Sequence, residues 1–187
     1  MFALVESGSI TKMLSGNQGI TIDGIQHPRA IYTLWTEAER NAIGIYTVEY
    51  DNSNKKDEKW YINTNQSYAF GSGKVTATYG TATAKAHADT NTVATRGLKY
   101  NLIQTVKAQA ASELARTDWY ITRNAEKSTA IPSAITTHRD LVRSRQAAME
   151  TSITNASDTP ALETLYAYTT DSDGVHSRPL GELPTLE

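Results

Sequence analysis

The hydrophobic pattern of the chain changes period near Asp89, and that change most limits what it can fold into. Before Asp89, apolar residues stand in short alternating runs separated by turn-forming clusters. After it they recur at intervals of three or four. Alternation suits a half-buried strand, and a three-to-four spacing suits one face of a helix. The fold expected is therefore α+β, with a small N-terminal antiparallel β module over 1–88, a C-terminal αα-hairpin over 89–156 and an extended acidic arm over 157–187.

In the first region Met1 to Glu6 is an apolar run closed by Ser7-Gly8-Ser9, and Ile10 to Leu14 is its expected hairpin partner. Ile20-Thr21-Ile22 alternates ahead of Asp23-Gly24, a favourable pair for a two-residue hairpin turn. Thr36 with Glu39 three residues later makes a capping box, so Trp35 to Arg40 is expected to turn into a short helix that Gly44 stops. Ile45 to Tyr50, Trp60 to Ile62, Ser67 to Phe70 and Lys74 to Tyr79 read as further strands. Gly71-Ser72-Gly73-Lys74 lacks the spacing of a phosphate loop and reads as a hairpin turn.

From Asp89 to about Arg123 a helical stripe runs through Leu102, Ile103, Val106, Ala110, Leu114, Thr117 and Ile121. A polar break follows. Ile131-Pro132-Ser133 then opens a second helix, with Pro132 in the first turn, where its missing N–H has no helical partner to lose. Its stripe is Ile135, His138, Leu141, Val142, Arg145, Ala148, Met149 and Ile153. Two such helices pack as an αα-hairpin, and narrow stripes with polar members resemble a coiled-coil seam. A lone hairpin buries too little surface to be secure, so it needs the sheet, a third helix or other subunits. Residues 157–187 carry six acids and one arginine, with Pro160, Pro179 and Pro184. That composition predicts an extended arm, disordered if left alone and ordered either by a partner surface or by packing within the monomer, with Leu165, Tyr166 and Tyr168 as its interface or structural candidates.

Chemistry is hard to place. The chain has no cysteine, which excludes disulfides, thiolate metal sites and a cysteine nucleophile. His27, His87, His138 and His176 are scattered without metal-ligand spacing. His138 alone is expected to matter, as a polar layer that fixes helix register. Asp171-Ser172-Asp173-Gly174 fails the calcium-loop pattern at both ends and reads as a turn. Net charge is −2, which argues against bulk nucleic-acid binding. Arg139, Arg143 and Arg145 lack interleaved aromatics and read as a solvated or intersubunit salt-bridge face. Met1 to Val5 lacks a signal-peptide pattern and no run approaches a membrane span, so a soluble protein made in the cytoplasm is expected. No catalytic residue, metal, cofactor, small-molecule substrate or membrane partner is expected.

Two stretches carry a resemblance. The first is Leu34-Trp35-Thr36-Glu37-Ala38-Glu39-Arg40-Asn41-Ala42-Ile43-Gly44-Ile45-Tyr46. The second is Thr117-Asp118-Trp119-Tyr120-Ile121-Thr122-Arg123, followed by Ala130-Ile131-Pro132 and a helix with Arg139 and Arg143. The first resembles a segment of bacteriophage tail and tail-fibre-associated proteins, and the second resembles the C-terminal helical hairpin of the same group. The resemblance implies a virion structural protein of tail, tail fibre or baseplate, localised in the particle. Its implied partners are other virion proteins, in a homo-oligomer or repeated assembly. Trp35 belongs to the first motif. In the second, Trp119, Arg123, Pro132, Arg139 and Arg143 are expected to fix the hairpin, Trp119 packing near its turn. Two further readings are an assembly chaperone absent from the finished particle, and a host-surface-binding module using Trp60, Tyr61 and Tyr68.

Overall fold

Three Xaa-Gly pairs organise the N-terminal part of the chain. In the computed structural model, which describes residues 1–89 and 96–186, Ser7-Gly8, Asp23-Gly24 and Ser72-Gly73 all have positive φ at both positions. That is the geometry of a two-residue turn whose twist matches the strands it joins. The turns close β1 (Phe2–Glu6) with β2 (Ser9–Leu14), β3 (Ile20–Ile22) with β4 (Ile25–His27), and, further along, β7 (Gln66–Gly71) with β8 (Lys74–Tyr79). Between the second and third hairpins lie α1 (Ile31–Leu34), α2 (Glu37–Ala42), β5 (Ile45–Asp51) and β6 (Tyr61–Ile62). The expected capping box starts α2: Thr36 accepts from the Glu39 N–H at 3.3 Å while Glu39 accepts from the Thr36 N–H at 2.8 Å.

Five strands form one sheet in the order β2-β1-β5-β8-β7, and its two edge strands approach each other, so the sheet curls. The sheet is mixed rather than antiparallel as expected, because β5 and β8 run parallel, with Val48 opposite Val75. β1 is buried on both faces. Phe2 and Leu4 point with Leu14, Ile20, Ile22, Ile31, Tyr32 and Ile45 into one core; Ala3 and Val5 point with Val48, Val75 and Ala77 into another. β2 serves both cores through a bulge. Val5 faces Ile10 but Leu4 faces Lys12, so Thr11 is an extra residue. The insertion reverses the alternation, sending Ile10 to one core and Leu14 to the other.

The chain divides into two compact units, Met1–Thr83 and Ala84–Glu187, and the boundary falls within β9 (Thr83–Ala84), the partner of β6. In the second unit α3 (Leu98–Ala115) runs antiparallel to α5 (Ser133–Asn155). Lys99 Nζ donates to the Thr154 carbonyl at one end, and at the other Arg139 reaches the Leu114 carbonyl. The expected helix start at Asp89 is not where α3 begins; residues 90–95 lie outside the described residues, and the first helical residue is Leu98. Nor is the first helix continuous. It breaks at Arg116–Thr117, and α4 (Asp118–Lys127) sets off separately. Pro132 stands one residue earlier than expected, as the N-cap of α5 with ψ 138, its carbonyl accepting from Ile135 and Thr136.

The C-terminal part corrects the expectation of an extended arm. Asp158 caps α6 (Thr159–Tyr166) by accepting from the Ala161 N–H at 2.8 Å, and Leu162 on that helix is fully buried. A small hairpin, β10 (Thr169–Thr170) with β11 (His176–Ser177), turns through Asp171–Gly174. Leu180 beyond it is 3% exposed, so this segment helps build the helical core.

Candidate functional site

The break between α3 and α4 is held from across the hairpin by Arg139. Its Nη1 lies 2.8 Å from the Leu114 carbonyl, 2.7 Å from Thr117 Oγ1 and 2.8 Å from Asp118 Oδ1. A helix end leaves carbonyls without partners, and here one guanidinium nitrogen shares its two hydrogens among a carbonyl, a hydroxyl and a carboxylate, while Nε is buried with no partner among the described residues. Arg139 and Thr117 are both buried, so the bond between them forms away from water, where it is strongest, whereas the Asp118 carboxylate faces solvent. The corner combines local and tertiary bonds: the Thr117 N–H and hydroxyl each donate to the Leu114 carbonyl at 3.0 Å, and Arg139 adds its donor from α5.

Next to it stands a carboxylate held from several sides. Glu113 accepts from Arg116 Nη1 at 3.0 Å and from the Leu186 N–H at 3.1 Å. His138, buried on α5 as the polar-layer reading expected, brings Nε2 to 3.2 Å from the same Oε1. The angle is not that of a hydrogen bond, and Nε2 has no hydrogen-bond partner among the described residues. Burial pushes the Glu113 carboxyl up, but the bonds from Arg116 and Leu186 and the charges of Arg116 and His138 outweigh it and hold it below the ordinary carboxylate value. This group therefore works as a clamp, tying α3, α5 and the end of the chain to one carboxylate.

A second feature lies on the outside of α4. Trp119 and Tyr120 rings sit with centroids 3.9 Å apart, and the Arg123 guanidinium stands 4.6 Å from the Trp119 ring centroid and 5.4 Å from that of Tyr120. Trp119, expected to pack near the hairpin turn, is 51% exposed and lies against Tyr120 and Arg123 of its own helix. Comparison of the chain with protein-family models, with curated proteins and with solved structures finds no match.

A third group gathers around Glu182. Arg178 donates to it through Nη2 at 2.8 Å, Tyr168 through its hydroxyl at 2.6 Å, and Arg145 Nε bonds its carbonyl at 3.0 Å. Arg178 also lies over the rings of Tyr166 and Tyr168, 5.1 and 5.2 Å from their centroids. The bond to Glu182, with burial, raises the Tyr168 hydroxyl above its ordinary value against the opposing charge of Arg178. Burial likewise raises Tyr166. The Leu165 carbonyl accepts from Leu180 at 2.9 Å. Tyr166, Tyr168, Leu165 and Arg145, expected on an arm and a helix face, thus meet within one cluster of the chain itself.

The remaining expected residues stay apart. Trp35 is half-buried against the first core, edge-on to His27 with centroids 5.7 Å apart. Arg143 makes an exposed pair with Asp140 at 3.3 Å. Leu141, Arg145 and Ala148, expected in the α5 seam, are exposed; the buried row is Ile135, His138, Arg139, Val142, Met149 and Ile153. Trp60 and Tyr61 are 3% and 5% exposed, which removes two of the three aromatics offered for host-surface binding. Sequence reasoning missed Glu113, Arg178 and Glu182. Arg178 and Glu182 stand four residues apart with opposite charge, a visible signal, but Glu113 acquires its role only through contacts far along the chain. Among the described residues no three His, Asp or Glu side chains gather to hold a metal ion, and no helix is long and apolar enough to cross a membrane.

Proposed function

We propose that this chain is a structural subunit of a bacteriophage particle, associated with the tail, tail fibre or baseplate, and that it acts through protein–protein contacts. The observation that carries the reading is the outward surface of the helical unit. Trp119 is 51%, Ile121 41% and Leu141 54% exposed, on helices whose inward stripes are narrow. Aromatic and aliphatic side chains beside an arginine are the composition of interface centres. The two motifs that resemble phage tail proteins include Trp119 and Arg123, so the exposed surface and the resemblance fall on the same residues. No step of chemistry is assigned: the clustered charged groups are bound to one another and hold helices and chain end in place.

Quantitative mass spectrometry of purified particles of the encoding phage tests the proposal. Tens of copies per particle, or a multiple of three or six, is the expected result. Absence from particles with abundance in infected-cell lysate overturns it and favours an assembly chaperone.

A further inference from the structure

Ser15-Gly16-Asn17-Gln18-Gly19 joins β2 to β3, and both glycines of this loop are set by close packing. A Cβ on Gly16, at φ +74, would stand 3.0 Å from the Phe2 ring and 3.4 Å from the Tyr32 ring. One on Gly19 would stand 2.6 Å from the His27 carbonyl oxygen. The loop is thereby pinned to the first core at one end and to the β3–β4 hairpin at the other. Its backbone donors are left over. The N–H groups of Gly16, Asn17, Gln18 and Gly19 meet no acceptor among the described residues, and within the loop the Ser15 hydroxyl donates to Asn17 Oδ1 at 2.6 Å.

The loop borders a space of about 310 Å³ together with Lys12 of β2, Thr21 of β3 and Tyr32 of α1. None of the side chains around it is a carboxylate, and the chain carries no acid from Ser7 to Ile22. Lys12 is exposed, and its ammonium has no hydrogen-bond or ion-pair partner among the described residues. Lys74 and Arg96, by contrast, each lie 2.7 Å from a carboxylate oxygen. Burial raises the Tyr32 hydroxyl above its ordinary value, which keeps it a proton donor. An unpaired ammonium, two hydroxyls and successive free backbone N–H groups, with no carboxylate to compete, suit an anion. These donors outnumber the two oxygens of a carboxylate. A phosphate group offers three free oxygens and a charge of about −1.5 to −2. The space stands at the small end for ligand pockets, which run from about 300 Å³, so it suits a small molecule rather than a strand of nucleic acid. The net charge of −2 points the same way.

We propose that the pocket under the β2–β3 loop binds the phosphate group of a small phosphorylated molecule. Lys12 pairs with its charge, and the Gly16–Gly19 N–H groups and the Thr21 hydroxyl supply hydrogen bonds. Because packing at both glycines already fixes the loop, little ordering remains to be done on binding. The site lies wholly in the β unit and does not depend on the subunit reading.

Amide NMR of the full chain, titrated with inorganic phosphate and separately with sodium chloride at matched ionic strength, tests the site. The resonances of Gly16 to Gly19 are expected to shift saturably with phosphate, at concentrations on the order of millimolar, and not with chloride. Lys12→Ala should weaken phosphate binding about tenfold. Lys127→Ala, which removes the same charge from the other unit, should leave it unchanged. Both lysines are exposed, so both variants should keep the dispersed spectrum of the parent. Shifts that do not saturate, or that chloride reproduces, overturn the site. So does a Lys12→Ala chain that binds phosphate as tightly as the parent, or an equal loss in Lys127→Ala. A short oligothymidylate that binds the same amides more tightly than phosphate overturns the small-molecule assignment in favour of a nucleic-acid strand.

Discussion

The two units of this chain are built on different terms. The β unit buries its central strand on both faces: Ala3, Leu4 and Val5 are consecutive and all buried, feeding two cores. The helical unit buries one row per helix, Leu102, Val106 and Ala110 on α3 and the row from Ile135 to Ile153 on α5. It fills out that thin core with α6 and Leu180, and with charged groups clamped at the corners. A full side chain removed from water is worth about 1.5–3 kcal/mol, so a core of single rows leaves little margin. Both units leave large apolar side chains outside, Ile25, Leu34 and Ile62 on the β unit and Trp119, Ile121 and Leu141 on the helical unit. The difference lies in the interior: the helical unit has the thinner core, so contacts beyond itself would add more to its stability.

The sharpest way to break this comparison is to end the chain at Ser157. That removes fully buried Leu162 and nearly buried Leu180 from the helical unit and nothing from the two β cores. The expected outcome is loss of cooperative helical unfolding, followed by circular dichroism, with the dispersed amide resonances of the β unit kept. An unchanged helical transition would show the last thirty or so residues to be the loose arm that their composition suggests. Ile45→Ala attacks the other side. Ile45 is 0% exposed, and its truncation should cost the β unit about 2–5 kcal/mol in denaturant unfolding while the helical unit is unmoved. A cost shared by both units would mean they unfold as one.

Smaller effects sharpen the contrast. Arg139→Leu removes a buried cation that donates to the Leu114 carbonyl, Thr117 Oγ1 and Asp118, and should cost the helical unit about 2–3 kcal/mol. A loss within the scatter of surface substitutions would demote the corner to a passive bend. The acid response of Glu113 is the least of the four. Its carboxyl is held below the ordinary value, so its contribution is fully present above that value and is lost as pH falls through the depressed one. The helical unit should therefore weaken below about pH 4, and Glu113→Gln should flatten that part of its stability profile. A profile identical in both proteins would remove the clamp.

What could be read from the sequence was local. The turns at Ser7-Gly8 and Asp23-Gly24, the Thr36–Glu39 capping box and the stop near Gly44 are set by residues within a few positions of each other. The direction of pairing is not local: alternation marks β5 and β8 as strands equally well whether they run parallel or antiparallel. The extra residue at Thr11 shows only once β1 is beside it. Thr117 fitted the helical stripe because it is indeed buried, but it is buried at a corner that Arg139 helps to make from another helix. In the C-terminal part the acidic composition outweighed a local signal that was present, Asp158 capping a run with Leu162, Leu165 and Tyr166 on it. Of the candidate site residues, those that act through distant partners, Glu113 above all, leave no mark in the sequence near them.

The claim that the helical unit keeps an outward face for its neighbours is tested most directly by oxidative footprinting of the free chain and of the intact particle. Protection of Trp119 and Leu141 in the particle, with Tyr50 of the β unit labelled alike in both states, is the result this account predicts. Equal labelling of Trp119 and Leu141 in chain and particle would contradict it.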